Sequence, residues 1–230
     1  MIPENLPSWR KTTRERLIAA RLTLDAATLS AFRVAIDRHI ERAFPGLAGA
    51  RLAFCWPIQN EYDARHIARR LRDRGARTAL PVVVARAAPL AFRTWYPGVA
   101  LTRGPLGIPY PAHSPDVRPN AVLLPVNGWD AAGYRLGYGG GYFDRTLAAM
   151  AHTPTVIGVG YECARIETIY PQPWDVPLDY LVTERGVYRR DEAQLAFLGA
   201  PPAPGEVSTR AFPVCYAAEI APGYFGEGEG

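Results

Sequence analysis

The sequence predicts an α/β domain built on a mostly parallel sheet. Three observations carry that expectation. Short apolar runs alternate with stretches of helical periodicity, the order that crossover connections between parallel strands produce. The clearest run, AVLLPV at 121–126, is apolar throughout, as a strand covered on both faces must be. With 230 residues, 48% of them hydrophobic, the chain is long enough to bury one sizeable core.

The elements follow in order. Ser8 is placed to cap a first helix through WRKTTRERLIAARL. A second helix follows Asp25, where Leu29, Phe32, Ile36 and Ile40 recur at three- and four-residue steps and make one apolar face. RLAFCW at 51–56 reads as a buried strand, ARHIARRLRDRG at 64–75 as a helix closed by Gly75, and TALPVVV at 78–84 as the next strand. Residues 86–119 are rich in Pro and Gly, with one strand, AFRTWY, and then loops. After AVLLPV comes a glycine stretch, and a helix is expected from about Tyr142 to about His152. TVIGVGY at 155–161 and DYLVTE at 179–184 finish the sheet. The domain is expected to occupy residues 1–198, and the Pro-, Ala-, Gly- and Glu-rich residues 199–230 to form a flexible or loosely docked tail.

Composition removes several classes of function. No run of about 18 apolar residues is present, so no membrane span is expected. The first residues, MIPENLPSWRKTTRERL, are polar and lack the apolar centre of a secretion signal. Cys55, Cys163 and Cys215 are far apart and match neither a disulfide framework nor a metal-binding spacing, so a reducing cytoplasm is the expected location. The four histidines show no ligand spacing either. A net charge of +4, carried almost wholly by arginine with Lys11 the only lysine, fits composition bias or an anionic small-molecule partner; it is too mild to argue for nucleic acid.

One stretch asks for a chemical explanation. RLGYGGGYFDR, from Arg135 to Arg145, places three consecutive glycines between a strand and a helix, where α/β sheets bind ligands. It is neither a dinucleotide fingerprint, which would need glycine where Tyr142 stands, nor a P-loop, since the Gly-Lys-Ser/Thr ending is missing. The physics of both still applies. Bare backbone lets amide N–H groups approach phosphate oxygens, and a helix N-terminus adds positive potential. Arg135 and Arg145 flank the loop with permanent charge, and Asp144 beside a phosphate suggests an intervening Mg²⁺. The bland alternative is a turn that only tightens strand-to-helix packing.

RLGYGGGYFDRTL closely resembles the signature of the 5-formyltetrahydrofolate cyclo-ligase family. RKTTR at 10–14, IQNEYDAR at 58–65, LLPVNGWDAAGYRLG at 123–137 and PWDVPLDYLVTE at 173–184 resemble other segments of the family in the same order, so the resemblance spans about residues 8–188. It implies a single-domain, three-layer α/β/α sandwich. It also implies ATP- and Mg²⁺-dependent closure of 5-formyltetrahydrofolate to 5,10-methenyltetrahydrofolate, with ADP and phosphate released. By resemblance, Arg10, Lys11 and Arg14 meet ATP phosphates, and Arg135, Leu136, Gly137, Tyr138, Gly139, Gly140, Gly141, Tyr142 and Phe143 form the nucleotide loop. Arg135 and Arg145 serve catalysis, Asp144 and Asp179 are linked to magnesium, and Ile58 and Asp63 contact the folate. Tyr62, Trp129, Tyr138, Tyr142 and Phe143 are available to stack on the pterin, though each alone reads as readily as core. Three positions depart from the pattern: Asp63 stands where some members have Glu, Gly140 where some have Lys, and Trp129 in place of Phe. They motivate an alternative, a member of the same fold that binds nucleotide or folate without ring closure. The expected partners are ATP and a folate, with no nucleic acid and no membrane, and the chain is expected to act as a monomer.

Overall fold

The computed structural model describes residues 2–201. Two helices open the chain, α1 (Leu6–Leu22) and α2 (Ala26–Ala43). Asn5 rather than Ser8 caps α1: its Oδ1 accepts the Ser8 N–H at 3.0 Å, and Ser8 lies in the first turn, next to Pro7. Asp25 caps α2 in the same way through the Thr28 N–H, at 2.7 Å.

Then come β1 (Arg51–Phe54), α3 (Arg65–Asp73), β2 (Arg77–Val82), β3 (Ala91–Trp95), β4 (Leu101–Arg103) and β5 (Pro109–Pro111). They are followed by β6 (Ala121–Pro125), β7 (Gly128–Trp129), β8 (Arg135–Leu136) and α4 (Tyr142–Ala149). The chain continues through β9 (Thr155–Val159), β10 (Tyr180–Thr183), β11 (Gly186–Asp191) and β12 (Gln194–Gly199). Eight strands form one sheet in the order β12-β11-β10-β9-β6-β1-β2-β3. The five strands from β10 to β2 run parallel, while β3, β11 and β12 pair antiparallel.

Alternation along the strands divides the interior into two cores. Leu52, Phe54, Leu123 and Ile157 point to one face, where Ile36, Ile40, Ile67 and Leu71 of α2 and α3 cover them. Ala53, Val122, Leu124 and Val156 point to the other, where Leu147 of α4 packs. This is the expected single-domain, three-layer arrangement with a mostly parallel sheet. Leu17 of α1 joins Leu136 and Ile169 in a third cluster, which seats α1 against the entrance to the glycine loop.

Two parts of the sheet differ from expectation. It does not end at DYLVTE, since β11 and β12 extend it; Arg189, Arg190 and Asp191 fill the second half of β11 and β12 holds no buried residue, so neither shows the continuous apolar run that marks β9 and β10. The segment after AFRTWY is not all loop, because β4 and β5 form a separate hairpin. β4 is exposed throughout and β5 holds two prolines, so neither carries a hydrophobic pattern. Gly199 ends β12, one residue past the expected boundary; residues 202–230, including Cys215, lie outside the described residues.

Candidate active site

The carboxyl ends of β1, β2 and β6 open on the same edge of the sheet, and a cavity of about 280 Å³ lies there. The glycine loop and α1 form one side of it, and the β4–β5 hairpin with Leu106 and Tyr110 another. Cys55, Trp56, Ile58 and Glu61 line it from the segment after β1, and Trp174 and Asp175 from the segment before β10.

Backbone geometry accounts for the glycines. Gly139 (φ 90°) and Gly141 (φ 62°) lie in the left-handed region that side chains disfavour. A Cβ on Gly139 would also meet the Arg14 guanidinium at 3.2 Å, and one on Gly140 would meet the Tyr142 ring at 2.8 Å. Gly141 is the N-cap of α4, and no side chain caps that helix end. Arg14 Nε donates to the Gly137 carbonyl and Arg145 Nη2 to the Gly140 carbonyl, so two arginines fix the loop's course. The Arg145 guanidinium also lies 5.3 Å from the Tyr142 ring centroid.

Two more arginines hold carboxylates. Arg135 is buried; Nη2 donates to Asp144 Oδ1 at 2.9 Å and Nη1 to the Val176 carbonyl. Burial pushes its pKa below the usual arginine range, against the attraction of Asp144. The Val176 N–H donates to the same Asp144 oxygen at 3.1 Å. Arg10 grips Asp175 with two nitrogens, at 2.6 and 3.3 Å, and the Ile169 and Tyr170 carbonyls with the rest of its fork. Burial, then the nearby Arg10 charge, lowers the Arg14 pKa.

Arg10, Arg14, Arg135, Ile58, Asp144 and the loop from Leu136 to Phe143 therefore meet around one cavity. Arg145 stands behind the loop and reaches its backbone. Five expected residues lie elsewhere. Lys11 is exposed and does not line the cavity. Asp179 lies at the opposite, amino edge of the sheet, where its Oδ2 accepts the Val156 N–H at 2.8 Å and its own N–H donates to the Val156 carbonyl. Tyr62 and Trp129 are core residues: Tyr62 donates its hydroxyl to Asp37 at 2.5 Å, and Trp129 its indole N–H to the Tyr161 carbonyl at 3.1 Å.

Asp63 also does not line the cavity. Its carboxylate is chelated by Arg65, at 2.6 and 2.8 Å, and stands outside the cavity. Arg65 in turn lies 4.6 Å from the Trp56 ring centroid, so Asp63 steadies the wall from behind. The carboxylate facing the cavity is Glu61, only 8% exposed. Gln59 and Asn60 both adopt left-handed backbone (φ 50° and 59°) and turn the segment just before it. Glu61 Oε1 accepts the Tyr138 hydroxyl at 2.8 Å and Oε2 the Ile58 N–H at 3.0 Å. Burial raises its pKa, opposed by these bonds and by Arg21. The sequence reading missed Glu61 and Asp175, yet both stand in the segments IQNEYDAR and PWDVPLD that it singled out. Each segment holds two acids, and spacing alone does not say which turns inward.

An arginine-braced glycine loop at a helix N-terminus, beside a mostly apolar, aromatic-walled pocket with one buried carboxylate, suits a phosphate-bearing ligand next to a flat heterocycle. The sequence model of the 5-formyltetrahydrofolate cyclo-ligase family matches residues 7–184. The chain belongs to that family. It is 32% identical over 142 residues to the 5-formyltetrahydrofolate cyclo-ligase of Escherichia coli K12, covering 57% of this chain and 76% of that protein. It is 30% identical over 151 residues to the enzyme of the same name from Mycolicibacterium smegmatis, covering 61% and 77%. The NMR structure of Aquifex aeolicus 5,10-methenyltetrahydrofolate synthetase superposes with a TM-score of 0.69 at 25% identity, covering 82% of this chain and 97% of that one. The synthetase from Mycoplasma pneumoniae, at 20% identity and a TM-score of 0.63, shares the fold. Every family-matched segment that lines the cavity lies within 7–184; β11 and β12 fall beyond it.

Proposed function

We propose that this chain closes 5-formyltetrahydrofolate to 5,10-methenyltetrahydrofolate while converting ATP to ADP and phosphate. The observation that carries the reading is the junction itself: the arginine-braced glycine loop and the buried Glu61 face one cavity, and Tyr138 belongs to both.

The chemistry explains why such a junction is needed. The N5-formyl carbon is amide-like and a poor electrophile, and its oxygen is a poor leaving group. Transfer of the γ-phosphoryl group to that oxygen makes the carbon iminium-like. N10 then attacks it, loses its proton, and the oxygen departs as phosphate. Phosphoryl transfer of this kind depends on positioning and charge stabilisation. Arg14 and the loop amides are placed to hold phosphates, with Arg10 and Arg135 keeping the carboxylates in place. Glu61 is placed to accept a pair of pterin N–H groups, and Trp56, Tyr110 and Tyr142 to flank the ring.

Magnesium fits the donor set. Mg²⁺ keeps most of its waters and takes one or two carboxylates together with phosphate oxygens. Asp144 and Asp175 line the cavity, and the described residues contain no cage of three or more His, Cys, Asp or Glu. Bound with the nucleotide, the ion would neutralise phosphate charge.

The test is spectroscopic. Purified chain with 5-formyltetrahydrofolate, ATP and Mg²⁺ should generate the near-ultraviolet absorbance of the methenyl product, with one ADP per product. Tight nucleotide binding without product would overturn the catalytic reading and leave the binding alternative.

A further inference from the structure

One buried cation is unused by this scheme. Arg21, in the last turn of α1, is 5% exposed and lies outside the main cavity. Its fork joins three segments. Nε donates to the Gln59 carbonyl at 2.7 Å, Nη1 to Asn127 Oδ1 at 2.8 Å, and Nη2 to the Tyr138 hydroxyl at 3.3 Å. The Tyr138 hydroxyl in turn donates a hydrogen bond to Glu61 Oε1 at 2.8 Å. Cation, phenol and carboxylate thus form a chain from α1, through the glycine loop, to the acid at the floor of the cavity. Arg21 also holds the carbonyl of Gln59, the first of the two left-handed residues that precede Glu61.

We propose that Arg21 and Tyr138 are positioning residues for Glu61, and that through Tyr138 the nucleotide loop sets how tightly the folate is recognised. The inference rests on the functional reading above. Its physical basis is the cost of a buried charge. A carboxylate with few solvent contacts needs hydrogen bonds and an opposite charge to stay ionised. Only the ionised form accepts two N–H donors. Arg21 supplies the charge and Tyr138 conducts its influence while fixing one oxygen. Because Tyr138 sits between Gly137 and Gly139, whatever orders that loop also orders the acceptor.

The groups around Glu61 set the sign of the test. They are Arg21 from α1, Tyr138 from the loop, Cys55 after β1 and Tyr161 after β9. Burial pushes Cys55 and Tyr161 well above their ordinary values, and both stay neutral through the working range, as does Tyr138. Arg21 is therefore the one permanent cation acting on Glu61 in this cluster. Removing it, or breaking its link, makes Glu61 easier to protonate.

The experiment measures KM for 5-formyltetrahydrofolate against pH in wild type, Tyr138→Phe, Arg21→Met and Arg21→Lys, with folate Kd measured with and without a non-hydrolysable ATP analogue. Tyr138→Phe keeps the half-exposed ring and removes only the hydroxyl. It should raise folate KM about tenfold, the loss expected for one hydrogen bond to a charged group. The acid limb of the profile should move to higher pH, and nucleotide should improve folate affinity less than in wild type. Arg21→Met should shift the acid limb the same way, and Arg21→Lys should restore part of the shift. If Arg21→Met does not fold, Tyr138→Phe decides alone. Folate KM and acid limb within twofold of wild type in the folded variants would overturn the relay, with the wild-type activity and the functional reading untouched. Absence of folate binding in wild type would instead overturn the functional reading.

Discussion

The two ends of the parallel sheet use acidic and amide side chains in opposite ways. At the amino end, Asn120 Oδ1 accepts the Arg51 N–H at 2.8 Å and Asp179 Oδ2 accepts the Val156 N–H at 2.8 Å. Both extend the backbone ladder past the last regular pair, so the sheet itself consumes them. At the carboxyl end, Glu61, Asp144 and Asp175 are held by Tyr138, Arg135 and Arg10 and line a cavity. Residue type is similar at the two ends. What separates structure from chemistry is that each cavity acid takes a side-chain donor as well as a backbone N–H, whereas Asn120 and Asp179 close the ladder through backbone.

Exchanging one acid at each end tests this division most strongly. Asp144→Asn keeps an oxygen for Arg135 and the Val176 N–H but removes a charge from the cavity. Turnover should fall by about 100-fold or more, the scale of losing one transition-state electrostatic contact. Raising Mg²⁺ should recover part of the loss if the charge serves the cation. Steady-state kinetics across a magnesium titration checks both, and an unaltered rate would place Asp144 with the structural acids.

Arg135→Ala crosses the division, because this arginine is both scaffold and site. It should weaken ATP binding, read by calorimetry. It should also destabilise the fold by about 3 kcal/mol, since Asp144 is left without its partner. A stability loss with ATP affinity retained would make Arg135 a scaffold residue alone.

Much of this division was legible in the sequence, and the gaps have physical causes. The helix–strand order, the start of a second helix after Asp25 and the turn at Gly75 (φ 110°) rest on local signals, periodicity and short-range hydrogen bonds, and all are present in the structure. The glycine loop was legible because its backbone demands glycine. The inward acids were not. Asp63 and Glu61 sit two residues apart, and their directions are set by the left-handed pair Gln59 and Asn60 and by Arg65, contacts that no pattern encodes. Asp175 and Asp179 pose the same ambiguity four residues apart. Arg10 provides a further lesson: judged alone it reads as a solvated helix face, but the fold seats it on Asp175, 165 positions away.

Asp179→Asn is the control for Asp144. It should leave turnover within twofold of wild type and, because the amide oxygen still accepts the Val156 N–H, change stability by less than about 1 kcal/mol. Chemical denaturation alongside the activity assay reads both. A large activity loss without destabilisation would return Asp179 to the functional set.

The smallest effect lies on α2, outside the cavity. His39 is buried on α2, its Nε2 donates to the Glu184 carbonyl at 3.3 Å, and its Nδ1 has no hydrogen-bond partner among the described residues. Burial, helped by Arg38 and Arg42, lowers its pKa below the ordinary value of about 6.5, with the Glu184 bond opposing. The unfolded chain then takes up the proton first, so unfolding is favoured as pH falls. His39 therefore contributes stability that is present above its unfolded pKa and lost as pH drops through the lowered folded one. His39→Gln keeps a donor for Glu184 and removes the titration. Between about pH 7.5 and about pH 5.5, the wild-type melting temperature should fall further than that of the variant. Equal slopes would mean that acid sensitivity arises from other groups, with the carboxylates of the cavity next to be tested.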